Sequence, residues 1–294
     1  MDDVQELRTE LTAAPQQHEG DRIQGGAYVL ELTADWIVTR ASENIHRLLG
    51  QSHVTLIDEP LGDFVQAQPL HDLRNLFSRL SGSTGVARAY RVRLTDNSEL
   101  FDVAFQHCEE RVIIEAVPSP EGRLGEALSA IGGLAAGLSR EKGLTLLDAA
   151  ARRMRALTAF DRVTLMVGSD KATSSRTGVP FRVGANSSLS DDLPALVPDT
   201  QAESVSLFPR EDRDSAASGA LLRAPTADQI EELIDRGFAA TMRVPVLMDG
   251  EAVGEFRLAH TKPRSPNFEL HAAAELFAQL FAMRLEIDRL KSGG

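Results

Sequence analysis

The sequence is poor in cysteine, in long apolar runs and in clustered basic charge. One cysteine, Cys108, in 294 residues cannot close an intrachain disulfide, and a chain of this size without one fits a reducing compartment. No apolar run reaches the roughly 18 residues of a membrane span. The first 21 residues are polar and acidic, without the basic-then-apolar pattern of a signal peptide. A cytoplasmic protein is expected, away from membranes. With 31 basic against 43 acidic residues the net charge is −12. No Lys/Arg run interrupts that balance, so non-specific binding to nucleic acid or anionic lipid is excluded by repulsion.

Catalytic signatures are missing as well. The chain has no G-x-S-x-G, no Walker A and no G-x-G-x-x-G. Its histidines (His18, His46, His53, His71, His107, His260 and His271) form no i, i+4 pair and have no cysteine at ligand spacing. Neither an enzyme nor a metal site is expected. His107 and Cys108 are adjacent on a strand-like stretch, and neighbouring strand residues point to opposite faces, which argues against a nucleophile pair.

What is present fits two globular domains of the α/β (α+β) class: 43% hydrophobic content over 294 residues can bury two cores. Residues 1–20 read as a flexible leader, 21–118 as a first domain and 119–294 as a second. In the first, Ala27–Thr39 reads as two strands about a turn at Ala34-Asp35. Ser42–Gly50 reads as a short helix stopped by glycine, and Pro69–Leu80 as another. Three strand-like stretches follow at Ala87–Leu94, Leu100–His107 and Arg111–Val117. Pro118–Gly122 marks the boundary.

In the second domain, Leu124, Leu128, Ile131, Ala135 and Leu138 recur at spacings of 4, 3, 4 and 3, a heptad seam. A helix over Leu144–Leu157 leads into a strand at Arg162–Val167. Gly168–Ser218 reads as long loops with one short helix around Asp192–Val197. A polar helix, Thr226–Arg236, precedes strands Ala240–Leu247 and Ala252–His260, joined across Asp249-Gly250. A closing helix over Asn267–Lys291 sets Ala273, Leu276, Leu280, Met283, Ile287 and Leu290 at spacings of 3, 4, 3, 4 and 3, with Phe277 and Phe281 on a flanking face. Two apolar faces on one helix, matched by the earlier seam, predict a homodimer.

Several stretches together resemble a known family. Phe160–Val163 (FDRV) is similar to the motif that opens a strand in phytochrome GAF domains. Asp191–Pro194 resembles the family's S-D-I-P, and Leu221–Gly237 its L-R-S to M-G-V helix. Val246–Gly254 is similar to L-V-V-D-G-x-L-W-G, and Ala259–Arg264 to H-H-x-x-P-R with the second histidine kept. Val38–Gly50 and Ile23–Gly25 resemble stretches of the phytochrome PAS region. The order and spacing identify Arg22–Leu290 as similar to the PAS–GAF module of bacterial phytochromes, the sensory part of bilin-binding signalling proteins.

That resemblance implies tandem PAS and GAF domains, a dimer, and an output domain after the last helix, a histidine kinase with its response regulator. It also implies a residual bilin pocket built from Asp192, Pro194, Gln229, Arg243, His260 and Met166. The departures are as informative. The leader holds no attachment cysteine, so no covalent adduct is expected. Gln229 stands where the pocket histidine belongs and Met166 where a tyrosine belongs. Ser206 matches a propionate-gripping arginine, and Arg243 and Pro245 match an S-x-S pair. Phe208–Leu221 is shorter than the loop through which the family knots its leader, so the resemblance does not carry the knot over. The expectation is a phytochrome-like sensory module with degenerate or absent bilin binding. The alternatives are a red-light photoreceptor holding biliverdin non-covalently and a dimerisation scaffold with a filled pocket.

Overall fold

The structure, a computed structural model, describes residues 21–80, 85–97, 99–108, 110–121, 125–179, 190–210 and 219–292. The leader therefore lies outside the described residues, as does Leu124.

The first domain contributes six strands: β1 (Arg22–Gln24), β2 (Tyr28–Leu32), β3 (Val38–Ser42), β4 (Val86–Val92), β5 (Phe101–Cys108) and β6 (Arg111–Pro118). Helices α1 (His46–Leu49), α2 (His53–Leu56) and α3 (Ala67–Phe77) fall between β3 and β4. Gly50 ends α1 with φ +71°, a left-handed value that glycine adopts without a Cβ clash. The helical side holds a core of Leu32, Val38, Leu56, Leu73, Phe105 and Val112. Alternation along β5 separates His107, whose ring centroid lies 4.2 Å from that of Phe77, from Cys108, which packs toward the second domain's core. The two are not a pair.

The second domain contains α4 (Glu126–Ala136), α5 (Gly143–Thr158), β7 (Arg162–Val167), β8 (Asp170–Ser175), β9 (Leu196–Val197), β10 (Ser204–Phe208), α6 (Ala227–Asp235), β11 (Ala240–Met248), β12 (Glu251–His260) and α7 (Phe268–Ser292). Its five-stranded antiparallel sheet runs β8-β7-β12-β11-β9. Apolar residues of alternate positions, Val163, Leu165, Met242, Val244, Phe256 and Leu258, meet the inner face of α7 (Ala274, Phe277, Phe281) and Met154 of α5 in one core. The expected α/β class and two antiparallel-sheet domains are found.

Two expectations for Gly168–Ser218 are corrected. The stretch read as loop contains β8, and β10 joins the other domain's sheet, whose order is β1-β10-β3-β2-β6-β5-β4. The short helix around Asp192–Val197 is instead a turn followed by β9, paired with β11 through Leu196↔Met242.

β1 sits between the two arms of the connection from 204 to 224. On one edge it pairs with β10, Ile23 opposite Val205. On the other, the Gln24 amide donates to the Leu222 carbonyl at 3.0 Å and the Ala224 amide to the Arg22 carbonyl at 2.9 Å. The Gln24 side-chain amide adds bonds to the Leu196 and Arg223 carbonyls. Both arms thus embrace the segment that enters the first domain. A buried guanidinium, Arg40, fastens the same junction through Asp21, Glu31 and the Pro209 carbonyl.

Candidate functional site

Strand alternation gives the second sheet a second face, away from α5 and α7. It carries Arg162, Thr164 and Met166 of β7, Thr241, Arg243 and Pro245 of β11, and Glu255, Arg257 and Ala259 of β12. Over it pass the turn 190–195 and helix α6. A small apolar cluster, Leu193, Val197, Leu233, Phe238 and Ala259, seals one end.

The rest of this face is ionic. Arg243 and Arg257 are directly opposed in the β11–β12 register, a placement that repels unless a counter-charge sits between them. Glu255 supplies it. Arg243 Nε donates to Glu255 Oε1 at 2.8 Å, and Arg257 Nε to Glu255 Oε2 at 2.5 Å. Arg257 also pairs with Asp191, and Arg243 donates to the Leu193 carbonyl. Burial opposes the charge on Arg257, but its bonds to Asp191 and Glu255 outweigh burial and raise its pKa. The same Arg257 bond holds the exposed Asp191 carboxyl below its ordinary value. Arg162 nearby is lowered, by burial first and then by the charge of Arg236.

The Asp192 carbonyl accepts from Arg223 Nη2 at 2.6 Å and from Gln229 Nε2 at 3.0 Å. Gln229 is further committed to a capping box: its Oε1 accepts from the Thr226 amide while Thr226 Oγ1 accepts from its own amide. The Asp192 carboxylate is 84% exposed. Of the residues expected in a pocket, Asp192, Pro194, Gln229 and Arg243 therefore meet around the turn, and Met166 lies on the same face beside Glu255.

His260 does not join them. Its strand position shares the side of Leu258, and it turns to Phe160 (ring centroids 6.0 Å apart) and to Asp161 Oδ2 at 3.4 Å. Ala259 takes the place on the ionic face. Burial lowers the His260 pKa more than Asp161 raises it. Ser206, matched to a propionate-gripping arginine, is a rung of β10 opposite Arg22 in the other sheet. The residues that sequence reasoning left unassigned are Arg223, Glu255 and Arg257. The signal for the last two was present in Glu255-Phe256-Arg257-Leu258, a strict polar–apolar alternation.

The expected dimer residues divide. Leu128, Leu276, Met283, Ile287 and Leu290 are exposed, Leu290 by 73%. Leu280 is half-buried against the core. Ile131 and Leu138 are corrected: at 2% and 1% exposure they face inward into the core of their own chain, Ile131 from α4, which docks on α7, and Leu138 from the turn after it. Among the described residues no group of side chains could hold a metal ion, and no helix is long and apolar enough to cross a membrane.

Residues 17–119 match the PAS fold family and residues 143–288 the GAF domain family. No curated protein matches the chain. Among solved structures it is similar to the chromophore-binding domain of an unusual bacteriophytochrome from R. palustris. The identity is 21% and the TM-score 0.74, over 94% of this chain and 99% of that one. A longer structure of that bacteriophytochrome gives 22% identity and a TM-score of 0.75 over 97% of this chain, which spans 62% of the longer one. The chromophore-binding domain of a Stigmatella aurantiaca phytochrome gives 21% and 0.72, over 90% and 95%. At such identities the likeness establishes shared architecture.

Proposed function

From the premise that this chain is a tandem PAS–GAF module of phytochrome-like architecture, we propose that it is a bacterial sensory input module that holds no bilin. It has no catalysis of its own. It signals as a dimer, in the cytoplasm, through paired α7 helices to a C-terminal output domain. By kinship that output is a histidine kinase acting on a response regulator.

The observation that carries the reading is the Arg243–Glu255–Arg257 cluster. A bilin presents two carboxylates, and binding them takes cations or hydroxyls free to pair. Here both guanidiniums are engaged by Glu255, with Asp191 on Arg257. The Asp192 carbonyl already accepts two donors, Gln229 replaces the pocket histidine, and His260 faces the other way. Cys108 lies on β5 of the other domain, beside Gly219. The residues present do not fit a bilin, covalent or otherwise. Each charged hydrogen bond lost to a ligand removes about 1.5–3 kcal/mol, so the joint loss lowers affinity by orders of magnitude.

The test is a visible and far-red spectrum of the purified chain after mixing with excess biliverdin and desalting. A featureless spectrum is expected. A retained red band that shifts under red light would make the chain a non-covalent photoreceptor and overturn the proposal.

A further inference from the structure

The junction between the two domains buries a carboxylate that neither sheet needs. Glu115, on β6, is 1% exposed and faces the second domain. Its Oε1 accepts from the Leu221 amide at 2.8 Å and its Oε2 from the Leu222 amide at 2.9 Å. Those amides belong to the arm that also grips β1 through the Leu222 carbonyl. Two residues before Leu221 on that arm, the Gly219 carbonyl accepts from Gln106 Nε2 of β5 at 2.6 Å. Beyond its backbone bonds to β1, the arm is fastened to β5 and β6 by the side chains of Gln106 and Glu115.

Arg88 extends the contact to the long helix. It lies two strands from Glu115 in the same row of the sheet, through Ala104. Its Nη1 pairs with Glu275 of α7 at 2.8 Å, and its Nη2 lies 2.9 Å from His271 Nδ1. His271 Nε2 in turn lies 3.3 Å from the Arg243 carbonyl on β11. That pattern fits a neutral imidazole accepting at Nδ1 and donating at Nε2, a tautomer assigned from the network. Glu115 and Arg88 thus share one row of the first sheet, Glu115 holding the 219–224 arm and Arg88 reaching α7, with Ala104 between them.

We propose that Glu115 is a proton-binding site that couples the domain junction to α7. Ionised, it holds both amides and attracts Arg88 across the intervening strand without touching it. Protonated, it keeps one strong acceptor, releases one amide, and leaves Arg88 to Glu275 and His271 alone. The carboxyl has no cation within salt-bridge distance among the described residues. Burial pushes it up to about 7, against the opposing pull of the two amides and Arg88. The other charged groups on the surrounding elements are Glu31 on β2, Asp102 on β5, Arg223 on the arm, and Glu275 and His271 on α7. Glu31 is engaged by Arg40 and Arg111, and Asp102 by the Arg91 amide and Ser119. Burial first, with Arg88 adding to it, lowers the His271 pKa against the pull of Glu275 and its bond to the Arg243 carbonyl.

The sign follows from the raised pKa. The folded chain takes up a proton between the ordinary carboxyl value of 4.5 and about 7. Global stability from this group is therefore greatest below that window and is lost as pH rises through about 7. For local lifting of the arm the order reverses: with the carboxyl still buried, losing the two amides, which favour the ionised form, raises its pKa further, so acid favours the lifted arm.

Two measurements on the full chain test this, and both stand whether or not a bilin binds. One is the 13C chemical shift of the Glu115 carboxyl against pH, assigned by its loss in Glu115→Gln. The other is hydrogen exchange of the Leu221 and Leu222 amides between pH 5.5 and 8.5, corrected for intrinsic rates. Expected are a midpoint near 7 and protection that falls several-fold on acidification in the parent, with a flat profile in Glu115→Gln. An ordinary carboxyl midpoint, or the same protection profile in both proteins, would overturn the proposal. If Glu115→Gln does not fold, the carboxyl midpoint, assigned then from Glu115→Asp, decides.

Discussion

Arg243 and Arg257 stand opposite one another on adjacent strands of the GAF sheet, and the single carboxylate of Glu255 holds both. The arrangement is self-consistent only as a set: two largely buried guanidiniums in register repel without the carboxylate between them.

Glu255→Gln, which keeps shape and removes charge, should therefore destabilise the fold by about 3 kcal/mol, as expected when one member of a buried ionic cluster is removed. Urea unfolding followed by circular dichroism measures it. Asp191→Asn removes a carboxylate that is 91% exposed and should cost far less. Equal, small effects from both would mean that Glu255 does not organise this face.

The embrace of β1 makes a second prediction, at Gly25. Its amide donates to the Glu203 carbonyl at 2.9 Å. A Cβ built at Gly25 would meet that oxygen at 2.4 Å. The obstacle is backbone and cannot swing aside, so Gly25→Ala should cost about 1–3 kcal/mol. Gly26→Ala has open space and serves as the control. A thermal melt of each protein reads the difference, and equal melting temperatures would mean that the arm leading into β10 does not close on the end of β1.

Most of the PAS strands and the long helix were legible because their signals are local. In β5 and β6 apolar residues run between polar turns, and α7 repeats apolar residues at helical spacing. β8 was not legible: its sequence Asp170–Ser175 is polar, and only Ala172 and Ser174 are buried on this edge strand. β10 was missed because its partner β1 is about 180 residues away, and no local pattern encodes that pairing. At the site, family likeness placed His260 in the pocket, whereas strand parity put Ala259 there. The spacing placed Ile131 correctly on a helix but carried that helix past its end at Ala136 to Leu138, and spacing does not say whether a seam faces its own chain or another.

That ambiguity sets the last prediction. Leu276, Met283, Ile287 and Leu290 form an exposed apolar stripe at heptad spacing on α7, while the opposite side of the same helix is spent on the core. An exposed stripe of this length on a charged protein needs a cover, and a second copy of α7 supplies a matching one. The purified chain should sediment as a dimer. Met283→Glu with Ile287→Glu should give a folded monomer with an unchanged circular dichroism spectrum, because both side chains are about half exposed (53% and 45%). Ile131→Ala should behave in the opposite way. It should leave the dimer intact and lower stability by about 2–5 kcal/mol, the usual cost of a core truncation. If the parent chain sediments as a monomer at tens of micromolar, α7 does not pair with itself and the proposed route of signalling falls with it.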